Sequence, residues 1–214
     1  MSISIPGRVI VFDYGEVISR PQSDADRLAI LAAAGIEAGA PDAVEAEPFW
    51  AAYWAHRDDL DHGITTIPEY WERVAADLGI TLTAGRVAEL WAADFRSWIS
   101  VEPGTVALLD ELHAGGTRMA ILSNAGFDFG DPLRRAPYSR YFERVFVSAE
   151  LGLLKPHADI YEKVAHDLGI GFDAFVFIDN KAPNVDAAIA LGATGHHFTS
   201  VDGLRAFVTA LAQP

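Results

Sequence analysis

Three polar residues in this sequence stand directly behind short apolar runs. Asp13 follows Arg8-Val9-Ile10-Val11-Phe12, Ser123 follows the run from Arg118 to Leu122, and Asp179 follows Phe175-Val176-Phe177-Ile178. A fourth residue, Lys155, precedes Pro156, and proline suits the first position of a helix. A carboxylate placed this way can act as a nucleophile or ligate a metal. A serine hydroxyl can donate a hydrogen bond to a phosphate oxygen. A lysine beside a positive helix N-terminus adds a point charge that favours an anion. Each of these signals alone has an ordinary structural use as a turn, a cap or a solvated side chain. The four together, in the chain order Asp, Ser, Lys, Asp, point to phosphate-ester chemistry centred on Asp13.

The elements that must position these residues can be read from the same runs. The three runs named above, together with Arg144 to Val147 and a weaker one from Thr194 to Phe198, are short, apolar and rich in β-branched residues, as buried strands are. Between them lie helical patterns. Val106, Leu108, Leu109 and Leu112 precede the stop at Gly115-Gly116, and Ile160, Val164 and Leu168 recur every four residues after Pro156. Val185, Ala188 and Ile189 precede Gly192, and Leu204, Phe207, Val208 and Leu211 give a last helix. Strands alternating with helices mean a doubly wound, Rossmann-like α/β core with a parallel five-stranded sheet. In such sheets ligands bind beyond the C-terminal strand ends, where Asp13, Ser123 and Asp179 sit.

The stretch 19–98 is different, since it holds no convincing strand. Ser23 to Asp26 opens a helix that stops at Gly35. Thr66-Ile67-Pro68-Glu69 is a capping box ahead of Tyr70, Trp71, Val74 and Leu78. Val87, Leu90, Trp91, Phe95 and Trp98 mark another helix. The expected organisation is a core of residues 1–18 and 99–214, interrupted by an α-helical cap at 19–98.

Bulk properties narrow the function. The net charge of −14 would repel a polyphosphate backbone, so nucleic acid is not an expected partner. No apolar run approaches the roughly 20 residues of a membrane span. Met1 to Arg8 lacks the basic and apolar regions of a signal peptide. The chain has no cysteine, which excludes disulfides, thiolate catalysis and zinc–thiolate sites and fits a cytoplasmic location. A monomer or homodimer acting on a small molecule is expected.

Four segments carry a family resemblance: Val11-Phe12-Asp13-Tyr14-Gly15-Glu16-Val17-Ile18, Ile121-Leu122-Ser123-Asn124, Ser148 to Pro156, and Phe177-Ile178-Asp179-Asn180 with Asn184. Together they span nearly the whole core, and the chain resembles the haloacid dehalogenase superfamily of hydrolases, with a helical cap. Within it the chain is most similar to phosphatases of the bacterial glucose-1-phosphate type, which also carry glycine two residues after the nucleophile. The resemblance implies that Asp13 attacks phosphorus and forms an aspartyl-phosphate, while Ser123 and Lys155 bind the phosphoryl group. It also implies that Mg²⁺ is held by Asp13, the Gly15 carbonyl and the Asp179-Asn180 segment. An uncompensated Asp13 would repel phosphate, so a cation and Lys155 are needed for it to act.

Two departures from the family pattern bear on the chemistry. Most phosphatases of the superfamily have a second aspartate where this chain has Gly15, and Gly15 can neither protonate a leaving group nor activate water. Glu16 is the adjacent candidate for that role. General acid catalysis is worth roughly 10²–10⁴-fold, so a good leaving group, such as the anomeric oxygen of a sugar 1-phosphate, would tolerate its loss. Asn180 stands where relatives usually carry a second carboxylate, and weaker Mg²⁺ binding follows. Substrate choice is expected from Phe49 to Gly63, where Tyr53 and Arg57, with Asn124 in the core, are candidate contacts. Phe49, Tyr53 and Trp54 read equally as the buried stripe of a cap helix. Two alternatives remain from sequence: a metal-free 2-haloacid dehalogenase using the same Asp13, and a member that binds without turnover.

Overall fold

The strands form where apolar side chains crowd both faces of the chain. In the computed structural model, which describes residues 2–213, β1 (Val9–Phe12) and β4 (Phe175–Asp179) are buried at every position. This is what a parallel sheet covered by helices on both sides requires. With β2 (Arg118–Ser123), β3 (Arg144–Val147) and β5 (Thr194–His197) they make one parallel sheet in the order β3-β2-β1-β4-β5. Side chains alternate between two cores. Ile10, Phe12, Met119, Ile121 and Ile178 face one layer with Leu108, Leu109, Leu112, Leu204 and Val208. Val9, Val11, Ala120, Leu122 and Phe177 face the other with Ile160, Tyr161, Val164 and Leu168.

The insert after β1 carries five α-helices: α1 (Asp24–Ala34), α2 (Glu47–Ala55), α3 (Arg57–Asp61), α4 (Ile67–Asp77) and α5 (Ala84–Trp98). Thr66 closes the expected capping box on α4, and Ser23, where a helix was expected to open, closes one on α1 as well. These helices pack on each other around Ile30, Phe49, Tyr53, Tyr70, Trp71 and Leu90, a cluster apart from the two sheet layers. The chain enters and leaves the insert along two segments that lie side by side. Ser19 pairs antiparallel with Val101, and the Arg20 and Glu102 amides donate to the Ser100 and Ile18 carbonyls.

The remaining helices alternate with the strands: α6 (Pro103–Ala114), α7 (Gly130–Arg135), α8 (Ser148–Leu151), α9 (Ala158–Leu168), α10 (Ala182–Ala190) and α11 (Val201–Leu211). Among the described residues no helix is long and apolar enough to cross a membrane. The insert touches the rest of the chain at its far side as well. Trp91 Nε1 donates to Asp128 Oδ2 at 2.7 Å, and His62 Nε2 lies 2.9 Å from the Gly152 carbonyl oxygen. Gly63 is pressed so close to this contact that a Cβ would fall 2.8 Å from the Ala149 oxygen, at a φ of 78° that side chains avoid.

One expected element boundary is corrected. Pro156 does not open a helix. The Lys155–Pro156 pair lies in a turn, its peptide bond is cis, and α9 begins at Ala158. Lys155 is therefore not beside a helix N-terminus. Its backbone N–H donates to Asn124 Oδ1 at 3.0 Å and its carbonyl accepts from Asn124 Nδ2 at 2.9 Å, so a side chain, not a helix, satisfies it.

Candidate active site

Parallel register decides what meets at the sheet's C-terminal edge. Phe12 pairs with Ile121 on one side and Ile178 on the other, so Asp13, Ser123 and Asp179 emerge within one residue of the same level. β1 is central, and the chain crosses from its β2 side to its β4 side, which leaves a crevice at this point. A cavity of about 170 Å³ opens there between the strand ends and the insert.

Lys155 reaches into this edge and is nearly enclosed. Its Nζ donates to Asp13 Oδ1 at 2.8 Å, to Asp179 Oδ2 at 2.7 Å and to the Leu122 carbonyl at 3.0 Å. All three protons of the ammonium are thus used. Burial works against the charge, but the two carboxylates outweigh it and hold Lys155 above the ordinary lysine range. Burial and the charge of Asp179 push Asp13 up to about 6, against the opposing pull of Lys155 and the Tyr14 amide.

The two carboxylates differ in what else they touch. Asp179 is wholly buried. Its Oδ1 accepts from the Lys181 amide at 2.7 Å, and its Oδ2 accepts from Asn184 Nδ2 at 3.0 Å in addition to Lys155. Asp13 is 7% exposed and lines the cavity, and its Oδ2 accepts from no side chain and faces Gly15. Asp13 is therefore the available carboxylate, and Asp179 is the fixed one behind Lys155. Asp179 was expected among the metal ligands; here both of its oxygens are taken by hydrogen-bond donors.

The other expected site residues separate into those that line the cavity and those that do not. Ser123 and Asn124 line it, as does Arg57, but the Asn124 amide is taken up by the Lys155 backbone and is not free to bind substrate. Tyr53 is corrected more plainly. It is fully buried in the insert and lines no part of the cavity. Its hydroxyl donates to Asp94 Oδ1 at 2.7 Å and accepts from Arg57 Nη1 at 2.9 Å. Arg57 Nη1 also donates to Asp94 Oδ2 at 2.9 Å, and Nε donates to Asp61 Oδ1 at 3.1 Å. Trp54, by contrast, is half exposed and forms part of the wall with Trp98 and Phe129.

The oxygens open to a cation can be tested against the chemistry of Mg²⁺, which takes hard oxygen ligands. Asp13 Oδ2 is one. The Gly15 carbonyl accepts no hydrogen bond among the described residues. Asn180 Oδ1 is a buried acceptor without a partner. These three fit the donor set of such an ion. Asn180 is oriented by its own amide nitrogen, which donates to Glu16 Oε2 at 2.8 Å. Glu16 is the sole non-glycine residue with positive φ among those described, at 58°, a conformation that costs energy and that this contact helps to hold. No cluster of three His, Cys, Asp or Glu able to hold a metal occurs among the described residues, and His196, half-buried against Phe207, forms none.

Sequence reasoning missed Asp94, Lys181 and Phe129 as neighbours of the site. Asp94 had a readable signal. It falls on the apolar face of α5 between Leu90 and Trp98, where a carboxylate needs a buried partner.

Comparison with known proteins agrees with this geometry. A sesquiterpene phosphatase of Aspergillus oryzae, astK, is 33% identical over 94 residues, 44% of this chain and 48% of that protein. The chain thus spans about half the length of that relative. Among solved structures, a haloacid dehalogenase family enzyme of Bacteroides thetaiotaomicron, in complex with magnesium and inorganic phosphate, superposes with a TM-score of 0.69 at 18% identity, over 90% of this chain and 94% of that one. The L-2-haloacid dehalogenase of Xanthobacter autotrophicus, with chloropropionic acid covalently bound, gives 0.65 at 18% identity over 97% and 84%. At these identities the likeness is one of fold, and it spans two chemistries. The family model for haloacid dehalogenase-like hydrolases matches residues 8–192, and the chain belongs to that family.

Proposed function

We propose that this protein is a magnesium-dependent phosphatase of small phosphomonoesters that forms an aspartyl-phosphate on Asp13, with the helical insert as a cap over the site. The observation that carries the reading is the Asp13 carboxylate. Lys155 pins one oxygen at 2.8 Å, the other accepts from no side chain, and the residue lines the cavity. Phosphoryl transfer asks mainly for a positioned nucleophile and for cationic neutralisation of the phosphoryl oxygens.

In the first step Asp13 Oδ2 attacks phosphorus and the bond to the alcohol oxygen breaks. Ser123 Oγ binds the phosphoryl group, and Lys155, its protons held by Asp13, Asp179 and Leu122, contributes its charge beside it. Asp179 and Asn184 keep Lys155 on the Asp13 side of the crevice. In the second step water attacks the acyl phosphate, phosphate leaves and Asp13 is restored. Mg²⁺, when bound, neutralises charge on the phosphoryl oxygens, and Asp13, the Gly15 carbonyl and Asn180 Oδ1 would hold it. Glu16 orients Asn180 rather than serving as the missing acid. With no acid at Gly15, the alcohol must leave readily, and the sugar 1-phosphates of the glucose-1-phosphate type are the substrates that best meet this condition. The phosphatase activity in the name of the Aspergillus oryzae relative, and the magnesium and phosphate bound by the Bacteroides thetaiotaomicron enzyme, support phosphate rather than halide chemistry.

The test is release of inorganic phosphate and of halide from a panel of phosphomonoesters and 2-halo acids, with Mg²⁺ and with EDTA. Phosphate release that requires Mg²⁺ is expected, fastest for sugar 1-phosphates. Halide release without metal, or ordinary alkyl phosphates cleaved as fast as sugar 1-phosphates, would overturn the reading.

A further inference from the structure

Arg57 is the only cation that the insert contributes to the cavity wall among the described residues, and its Nε and Nη1 are already bound to carboxylates. Asp61 and Asp94 both bind its guanidinium, both are buried, and the three together carry one negative charge. Asp58, one residue along α3, is exposed on the same wall and has no ion-pair partner among the described residues. The substrate's alcohol part therefore meets two net negative charges on the insert side. On the strand side, Lys155 is shared between Asp13 and Asp179, and Lys181, exposed on the wall, acts on Asp61 and offsets one of these charges. The rest of the wall is apolar, formed by Trp54, Trp98 and Phe129.

We infer that the site selects phosphomonoesters whose alcohol part carries no negative charge, a neutral or cationic group lying against the aromatic wall, with Asp58 and the Arg57–Asp61–Asp94 triad rejecting anionic ones. The inference rests on the phosphatase reading and sharpens it. Opposite an aromatic face a cation gains, whereas a carboxylate faces like charges in a partly desolvated cavity. Substrates with a second phosphate or a carboxylate on the alcohol part are excluded on the same ground.

The experiment uses three matched compounds, glucose 1-phosphate, glucosamine 1-phosphate and glucuronic acid 1-phosphate. Each is tried as a substrate and as a competitor of p-nitrophenyl phosphate at fixed Mg²⁺ and ionic strength. The competition arm reads recognition even where turnover is slow. The glucuronate is expected to be at least roughly tenfold poorer than glucose 1-phosphate in both arms, and the glucosamine compound equal or better. Asp58→Asn should narrow the gap, and so should 0.5 M salt, at which the Debye length falls to about 4 Å. Asp58 is exposed, so this variant keeps the fold. Equal recognition of the anionic and neutral compounds by the wild-type protein would overturn the inference while leaving the phosphatase reading intact. Failure to cleave p-nitrophenyl phosphate and every sugar phosphate would overturn the reading itself.

Discussion

Two buried ionic triads face one cavity from opposite sides, and each sets one cation between two aspartates. At the strand ends it is Lys155 between Asp13 and Asp179, and in the insert it is Arg57 between Asp61 and Asp94. They are built for different work. The lysine is a compact charge on a flexible stem, anchored also by the Leu122 carbonyl, and one of its two carboxylates keeps an oxygen free. The arginine's planar fork is matched on Nε and Nη1, and Asp94 is held by the Tyr53 hydroxyl and, at 3.3 Å, by the Trp98 indole. The first triad holds a reactive oxygen ready. The second fixes helices α2, α3 and α5 against each other and sets the charge of the wall.

The sharpest way to break this comparison is at the nucleophile. Asp13→Asn keeps the shape and a hydrogen-bonding group but removes the attacking carboxylate. Turnover should fall by at least about 10³-fold, with unfolding by urea little changed. Loss of activity together with unfolding would place Asp13 in the structural class with Asp94. The insert triad should respond the other way. Arg57→Met leaves Asp61 and Asp94 buried without a counter-charge, and breaking such a pair costs roughly 3–5 kcal/mol. Urea unfolding monitored by tryptophan fluorescence is the measurement. A variant as stable as the wild type would show that the triad is not what joins the insert helices.

The difference also explains what could be read from sequence. Asp13, Ser123 and Asp179 were legible because strand runs and their ends are local signals, and parallel register then brings them together without further information. The five strands, the helix start at Ser23 and the capping box at Thr66 were legible for the same reason. Tyr53 and Arg57 were recognised as unusual, but not where they point. Arg57 is 37 residues from Asp94, and the contact depends on how α5 packs on α3. A helical pattern tells which face is buried and not which helix it meets. The Asn124 clamp on Lys155 was hidden likewise, because it joins two turns 31 residues apart.

Gly15 offers a way to sharpen the view of the strand-end triad. Its φ is not positive, and a Cβ there would sit 4.0 Å from Asp13 Oδ2 and 4.0 Å from Trp98, an ordinary contact distance. A side chain is therefore tolerated, and its absence is a matter of chemistry. Gly15→Asp should raise the rate on alkyl phosphates by up to about 10²-fold, the range of general acid catalysis, with a smaller gain on sugar 1-phosphates. A uniform change across leaving groups, measured by kcat/KM against alcohol pKa, would mean that the new carboxylate does not protonate the leaving oxygen.

The smallest effect concerns how the lysine is held. Asn124 touches neither Asp13 nor the Lys155 ammonium; it clasps the Lys155 backbone with two hydrogen bonds, at 2.9 and 3.0 Å. It is a positioning residue for the triad. Asn124→Ala removes both bonds and leaves an amide and a carbonyl for water to satisfy, so the protein stays folded at a cost of about 1–2 kcal/mol. The lysine then samples positions in which Asp13 is no longer pinned, and kcat should fall roughly tenfold, since small misplacements of a reacting group are costly. Asn124→Asp can still accept from the Lys155 amide but cannot donate to its carbonyl, and it should fall between the two. A change in KM with kcat untouched would instead return Asn124 to the role expected from sequence, a direct contact with substrate.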